Sequence, residues 1–209
     1  LITAGPTREP IDPVRYISNR SSGKMGYAIA QAALDAGHEV ILVSGPVCIE
    51  APRGAQLVAV TTSNEMFDAV HAHLGGINIA VMSAAVADFK PANYSAQKIK
   101  KNCALEKFLL TPTRDILSSL GKLQKKFLLV GFAAETNSLA ENARKKLREK
   151  NCDLIVGNDV SRMDTGFEGD DNELTLFYKC GETFFLPHEK KTLLAKKLVE
   201  IFEKLQEKS

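Results

Sequence analysis

Short apolar runs recur along the chain at residues 1–4, 40–43, 57–60, 79–82, 127–130 and 154–156, punctuated by Gly, Asn and Pro. Runs of this length suit buried strands. Between most of them the apolar residues return at helical spacing, over 24–36 with Gly37 at its end, then over 63–74, 114–120 and 138–150. Ser63 and Asn137 are the expected N-caps, because their side-chain oxygens can accept the unpaired amides of a first turn. This alternation predicts a mainly parallel sheet covered on both faces, a doubly wound, Rossmann-like α/β fold. After residue 157 the pattern changes. Segments 174–178 and 183–186 flank Cys180, Gly181 and Glu182 and predict an antiparallel hairpin. A closing helix over 189–206 repeats Leu193, Leu194, Leu198, Val199, Phe202 and Leu205 on one face, which is a packing face rather than a membrane span.

Two connections are long for such a fold, where about 2–6 residues is usual. One runs from Gly5 to Ser22 after the first strand; the other covers 86–103 and is rich in Lys, Asn, Ala and Gln. Loops of this length in a compact domain are commonly functional.

A chain of 209 residues with 44% apolar and 25% charged residues has the profile of a folded globular protein, here expected as one domain over 1–209. With 27 Lys+Arg against 25 Asp+Glu, the net charge of +2 gives no field suited to nucleic acid, so any anion site is local. No apolar run reaches the roughly 20 residues of a membrane span, and the opening residues pattern as a strand rather than a signal peptide. Cys48, Cys103, Cys152 and Cys180 form no CxxC pair and no zinc spacing, as expected of reduced thiols in a cytoplasmic protein. The four histidines lie in no metal or triad spacing.

Ser21, Ser22 and Gly23 lead into Lys24 and the first helix, where unpaired amides and the helix dipole attract phosphate. It is not a Walker A loop: Ser18 stands where the first Gly belongs, and Met25 follows the lysine. Gly23 and Gly26 serve equally well for close helix–sheet packing. Tyr94 and Lys98 have the Tyr-x-x-x-Lys spacing of short-chain dehydrogenases, but Pro91 and Asn93 predict a loop where that chemistry needs a helix. Lys98, Lys100 and Lys101 concentrate charge suited to a polyphosphate, or to a solvated turn. Ser83, Ala84 and Asp88 follow a strand at its carboxyl end, where open α/β sheets bind ligands. Residues 131–137 occupy the same kind of position, with Glu135 a candidate helix-start carboxylate or substrate contact. Lys146 and Lys150 share one helix face.

Three strings, ITAGPTREPIDPVRYISNRSSGKMG, then AAVADF with KIKK, then GFAAETN followed by NDVS, together resemble bacterial phosphopantothenate-cysteine ligase over nearly the whole chain. The resemblance implies an enzyme that activates 4'-phosphopantothenate with CTP and Mg2+, through an acyl-cytidylate, and joins it to L-cysteine in coenzyme A biosynthesis. It further implies a homodimer, with 172–187 as a candidate dimerisation hairpin. An FMN-dependent decarboxylase domain is expected upstream of Leu1, and no flavin is expected within these residues.

Carried over position by position, Asn19 matches the asparagine associated with the acyl-cytidylate and its attack by cysteine. Arg15 is the neighbouring basic residue that would hold an anionic group of the substrate, and Lys98 matches the lysine of a flexible flap over the active site. Met82, Ser83, Ala84, Asp88, Phe132, Lys146 and Lys150 match nucleotide-contacting positions, with Phe132 expected near the base. Arg114, Asp115, Ile116 and Leu117 also fall there, although the family's Asn-Pro-Asp-Ile-Leu is here Thr113-Arg114-Asp115-Ile116-Leu117 with proline shifted to Pro112. Metal ligands are not identified by the sequence. A nucleotide-binding module without chemistry is the rival from another class, and a nicotinamide-dependent reductase a distant third.

Overall fold

The computed structural model describes residues 1–100, 109–160 and 169–207. The chain opens with β1 (Ile2–Ala4), β2 (Arg8–Pro10), β3 (Tyr16–Ser18), α1 (Lys24–Asp35), β4 (Ile41–Ser44), β5 (Gln56–Ala59) and α2 (Ser63–Ala72). It continues through β6 (Ile79–Met82), β7 (Phe89–Pro91), β8 (Leu110–Pro112), α3 (Ile116–Gly121), β9 (Leu128–Glu135) and α4 (Leu139–Glu149). It closes with β10 (Leu154–Asp159), β11 (Asp171–Tyr178), β12 (Thr183–Lys190) and α5 (Lys191–Gln206).

Residues adjacent in sequence point into different cores, as the two-residue period of a strand requires. Leu42, Val81, Val130 and Val156 pack with Ile29, Leu194, Leu198 and Phe202 of α1 and α5. Val43, Met82, Leu129 and Ile155 pack instead with Met66, Leu120 and Leu147 of α2, α3 and α4. Both faces of the sheet are therefore covered. The strand order is β12-β11-β10-β9-β6-β1-β4-β5, parallel from β10 to β5 and antiparallel across β10, β11 and β12. Taken in chain order, the six parallel strands follow the Rossmann sequence 3-2-1-4-5-6, which reverses between β1 and β6. The expected fold class holds, down to the terminal hairpin and closing helix. β12 is the outermost strand on one side and carries Pro187. No helix among the described residues is long and apolar enough to cross a membrane.

Both predicted N-caps need correction. Thr62 caps α2: its hydroxyl accepts from the Glu65 amide at 3.2 Å, and the Glu65 carboxylate accepts from the Thr62 amide at 3.1 Å. Thr62-x-x-Glu65 is a reciprocal capping box, so Ser63 sits inside the first turn. The Ser63 amide instead donates to the buried carboxylate of Glu9 at 2.7 Å. At α4 the cap position is Ser138, at φ 48° and with no side-chain cap hydrogen bond, while Asn137 offers its carbonyl to Asn142. β9 also runs past the predicted 127–130 to Glu135, because β10 pairs with it as far as Asp159.

One antiparallel ribbon lies in the first long connection, and a second begins in the other and closes beyond residue 103. β2 pairs with β3, and β7 with β8. Pro10, Pro91 and Pro112 hide them from a strand search, since proline removes a ladder donor, but two-stranded ribbons have free edges that tolerate it.

Candidate functional site

The carboxyl ends of β1 and β6 lie side by side, and the loops leaving them stay paired. Ala85 N donates to Gly5 O at 2.9 Å, Thr7 N to Ala85 O at 3.3 Å, and Ala87 N to Thr7 Oγ1 at 3.0 Å. The crossing there is tight: a Cβ on Gly45 would fall 1.8 Å from the Pro6 carbonyl oxygen, and one on Gly26 would fall 2.6 Å from the Ala4 Cβ. Gly26 thus serves helix–sheet packing. Gly23 is the N-cap of α1 at φ 76°, packed against Gly5, and its amide donates to Ser21 Oγ at 3.3 Å. Ser21, Ser22 and Gly23 therefore flank the end of β1. Lys24 reaches Asp170 at 2.7 Å.

At the β1–β6 reversal opens a cavity of 390 Å³. The expected nucleotide positions Met82, Ala84, Asp88 and Phe132 line it, as do Arg114, Asp115, Ile116, Leu117, Lys146 and Lys150. Ser83 lies between two of these residues with its hydroxyl turned inward to the Thr3 carbonyl at 2.6 Å. Thr3, Val86 and Thr113 complete the wall without having been foreseen. Thr113 fastens the loop after β6, donating its hydroxyl to Ala87 O at 2.6 Å and its amide to Asp88 O at 2.9 Å.

The two lysines have different environments. Lys146 donates to the Phe132 carbonyl at 2.8 Å, and burial of its ammonium lowers its pKa. The Phe132 ring packs toward the α1–α5 core, so on the Lys146 side this residue presents its carbonyl. Lys150 pairs with Asp115 at 2.6 Å. Asp115 also caps α3, accepting from Ser118 N at 2.7 Å. Partial burial works against its charge, yet the Lys150 and Ser118 donors hold its carboxyl below the ordinary value. The Arg114 side chain turns to α2, 3.9 Å over the Phe67 ring and 2.7 Å from Asp68. Its contribution to the rim is accordingly set by packing on α2.

Asn19, just past β3, does not line the cavity but is tied to its wall, its Nδ2 donating at 2.9 Å to the carbonyl of Val86, which does. Arg15, on the other end of β3, holds the buried Asp12 carboxylate and the Ile99 carbonyl. Lys98 is exposed beside Ile99 and outside any helix, as is Tyr94, so the dehydrogenase spacing lacks its helix. Lys101 and Cys103 lie outside the described residues. Asp12 was not singled out from the sequence, although Asp12-Pro13 is a turn-initiating pair.

Among the described residues no three His, Cys, Asp or Glu side chains gather to hold a metal. Mg2+ commonly uses one or two carboxylates and completes its shell with substrate phosphates and water. Asp88 in the cavity fits that mode, whereas the Asp115 carboxylate is committed to α3 and Lys150. A larger concavity of 1120 Å³ opens at the opposite rim, but its lining carries the carboxylates Glu39, Glu203 and Glu207 and, among the described residues, neither lysine nor arginine. Such a set disfavours a polyphosphate.

Residues 1–205 match the family model described as DNA/pantothenate metabolism flavoprotein C-terminal domain. The chain is 46% identical over 208 residues to the coenzyme A biosynthesis bifunctional protein CoaBC of Bacillus subtilis, covering 99% of this chain and 50% of that protein. It is 47% identical over 214 residues to the protein of the same name from Escherichia coli K12, covering 100% and 52%. The chain thus spans about half the length of these relatives. A crystal structure of the C-terminal domain of coenzyme A biosynthesis bifunctional protein CoaBC superimposes with a TM-score of 0.85 at 42% identity, covering all of this chain and 95% of that one.

Proposed function

Because the chain belongs to the DNA/pantothenate metabolism flavoprotein C-terminal domain family, we propose that residues 1–209 form a phosphopantothenate-cysteine ligase domain. The observation that carries this reading is the 390 Å³ cavity at the β1–β6 reversal, which gathers Asp88, Lys146 and Lys150 beside Asn19 of the first ribbon. A carboxylate does not acylate an amine, so it must first become a mixed anhydride. The carboxylate oxygen of 4'-phosphopantothenate attacks the α-phosphorus of CTP, and the bond to the bridging oxygen breaks to release pyrophosphate. The amine of L-cysteine then attacks the acyl carbon, CMP leaves, and the amine gives up a proton.

Charge gathers on phosphate oxygens in the first step, and preorganised cations stabilise it most where water is partly excluded. Lys146 and Lys150 are assigned to that task within the cavity, and Lys98 to the same step from outside. Mg2+, held through Asp88 and the phosphates, would supply further charge neutralisation. Ser21, Ser22 and Gly23 are assigned to an anionic group at the start of α1. Asn19 is assigned to the acyl-cytidylate, where its amide orients the anhydride for cysteine.

The native assembly is read as a cytoplasmic homodimer with a decarboxylase domain upstream. Two exposed apolar sets are available for a dimer contact: Phe184 and Phe185 on the terminal hairpin, or Val14, Tyr16, Phe89 and Leu110 on the ribbons. The direct test incubates this chain with CTP, Mg2+, 4'-phosphopantothenate and cysteine and follows pyrophosphate. Release that requires 4'-phosphopantothenate is expected, and no release with CTP or ATP would overturn the proposal.

A further inference from the structure

Asp12 lies in the turn of the β2–β3 ribbon, outside the cavity, and its side chain has 0% exposure. Its two oxygens do different work. Oδ1 accepts the amides of Val14 and Arg15, each at 2.9 Å, which closes the turn. Oδ2 accepts Arg15 Nε at 3.0 Å, Arg15 Nη2, and the Ile99 amide at 3.1 Å, although Ile99 lies 87 residues further along the chain. Arg15 Nη2 completes the grip by donating to the Ile99 carbonyl at 2.7 Å. Both backbone polar groups of Ile99 are thus held by one ion pair, and Ser95 N adds a third tie, to Ile11 O at 3.0 Å. The Arg15 guanidinium keeps the Asp12 carboxyl well below the usual carboxylate range, so the grip stays charged throughout neutral pH.

Ile99 sits between Lys98 and Lys100, whose exposed side chains carry the charge. The other end of β3 bears Asn19, bonded to the cavity wall at Val86. We infer that Asp12 and Arg15 are a positioning pair that locks the Ile99 peptide to the same ribbon as Asn19, and so fixes the Lys98 ammonium for the nucleotide step. Arg15 acts here through Ile99 rather than as a direct ligand of substrate. The inference rests on the ligase reading for its catalytic consequence, but the grip itself is measurable without activity.

Asp12→Asn separates the two oxygens. Asparagine keeps an acceptor for the turn amides, but places an NH2 group against the Ile99 N–H and the guanidinium, where no hydrogen bond forms. Amide exchange at Ile99 should accelerate while Val14 and Arg15 remain protected. Pyrophosphate release should slow on the order of tenfold, the scale of one charge-assisted hydrogen bond. A double-mutant cycle with Lys98→Gln distinguishes positioning from general damage. If Asp12 works through Lys98, Asp12→Asn changes the rate less than about twofold in the Lys98→Gln background. An equal loss in both backgrounds would overturn the inference, as would an unprotected Ile99 amide in the parent chain. A parent that releases no pyrophosphate with any nucleotide would remove the ligase reading and the catalytic half of this inference with it, leaving the exchange data to decide the grip.

Discussion

Replacing Lys146 by methionine should weaken nucleotide binding while leaving the fold intact, because the two effects of this lysine have opposite signs. An ammonium about 4 Å from one phosphate charge contributes about 4 kcal/mol at an effective dielectric constant of 20. Screening by salt and the neighbouring Lys150 reduce this to about 2 kcal/mol, a factor of about 30 in Kd. On the stability side, Lys146→Met loses the 2.8 Å hydrogen bond to Phe132 O, worth about 1 kcal/mol. It also removes an ammonium whose charge burial disfavours. The unfolding free energy should therefore stay within about 1 kcal/mol of the parent. The linkage sign follows from the lowered pKa: between its folded and unfolded values, the unfolded chain binds more protons, so parent stability gains as pH rises through that window. Nucleotide affinity falls over the same window as the cation is lost, beginning below the ordinary lysine range. Titration calorimetry with CTP and Mg2+ from pH 7 to 10, paired with urea unfolding, measures both. Unchanged CTP affinity together with a loss above about 2 kcal/mol would make Lys146 a structural residue and refute its assignment.

Asn19→Asp should still release pyrophosphate in the presence of cysteine but couple cysteine poorly, because a carboxylate cannot donate to Val86 O; product yield equal to the parent would remove Asn19 from the second step. Gly45→Ala should destabilise the chain by about 3 kcal/mol or prevent folding, since its Cβ would meet the Pro6 carbonyl oxygen at 1.8 Å and backbone must move; a urea midpoint like that of the parent would contradict the close crossing. Cys152 is buried, and desolvation pushes its thiol up to about 12, so iodoacetamide should modify the exposed Cys48 and Cys180 and spare Cys152 until denaturant is added. Mass spectrometry of the labelled peptides reads this directly.

The sheet was legible because burial on both faces leaves unbroken apolar runs such as 79–82 and 154–156, and α5 because its apolar face repeats over four turns. The ribbons were not, since a two-stranded ribbon buries little and its prolines argue against strands. Lys146 and Lys150 are visibly on one helix face from their spacing. What separates them, one under the Phe132 carbonyl and the other against Asp115, depends on β9 and α3 arriving from elsewhere in the chain. Asp12 was hidden for the same reason: a carboxylate beside proline reads as a local turn, and its partner Ile99 is known only once the ribbons are folded. Thr62, by contrast, was legible: Glu65, three residues on, marks the capping box in the sequence itself.

Pro187 in the outermost strand sets a limit on how this molecule can add to itself. A backbone without an N–H cannot sustain a continuous ladder, so a neighbouring copy aligned along β12 would find the ribbon of hydrogen bonds interrupted at that point. Such an interruption guards the sheet against open-ended growth from this edge.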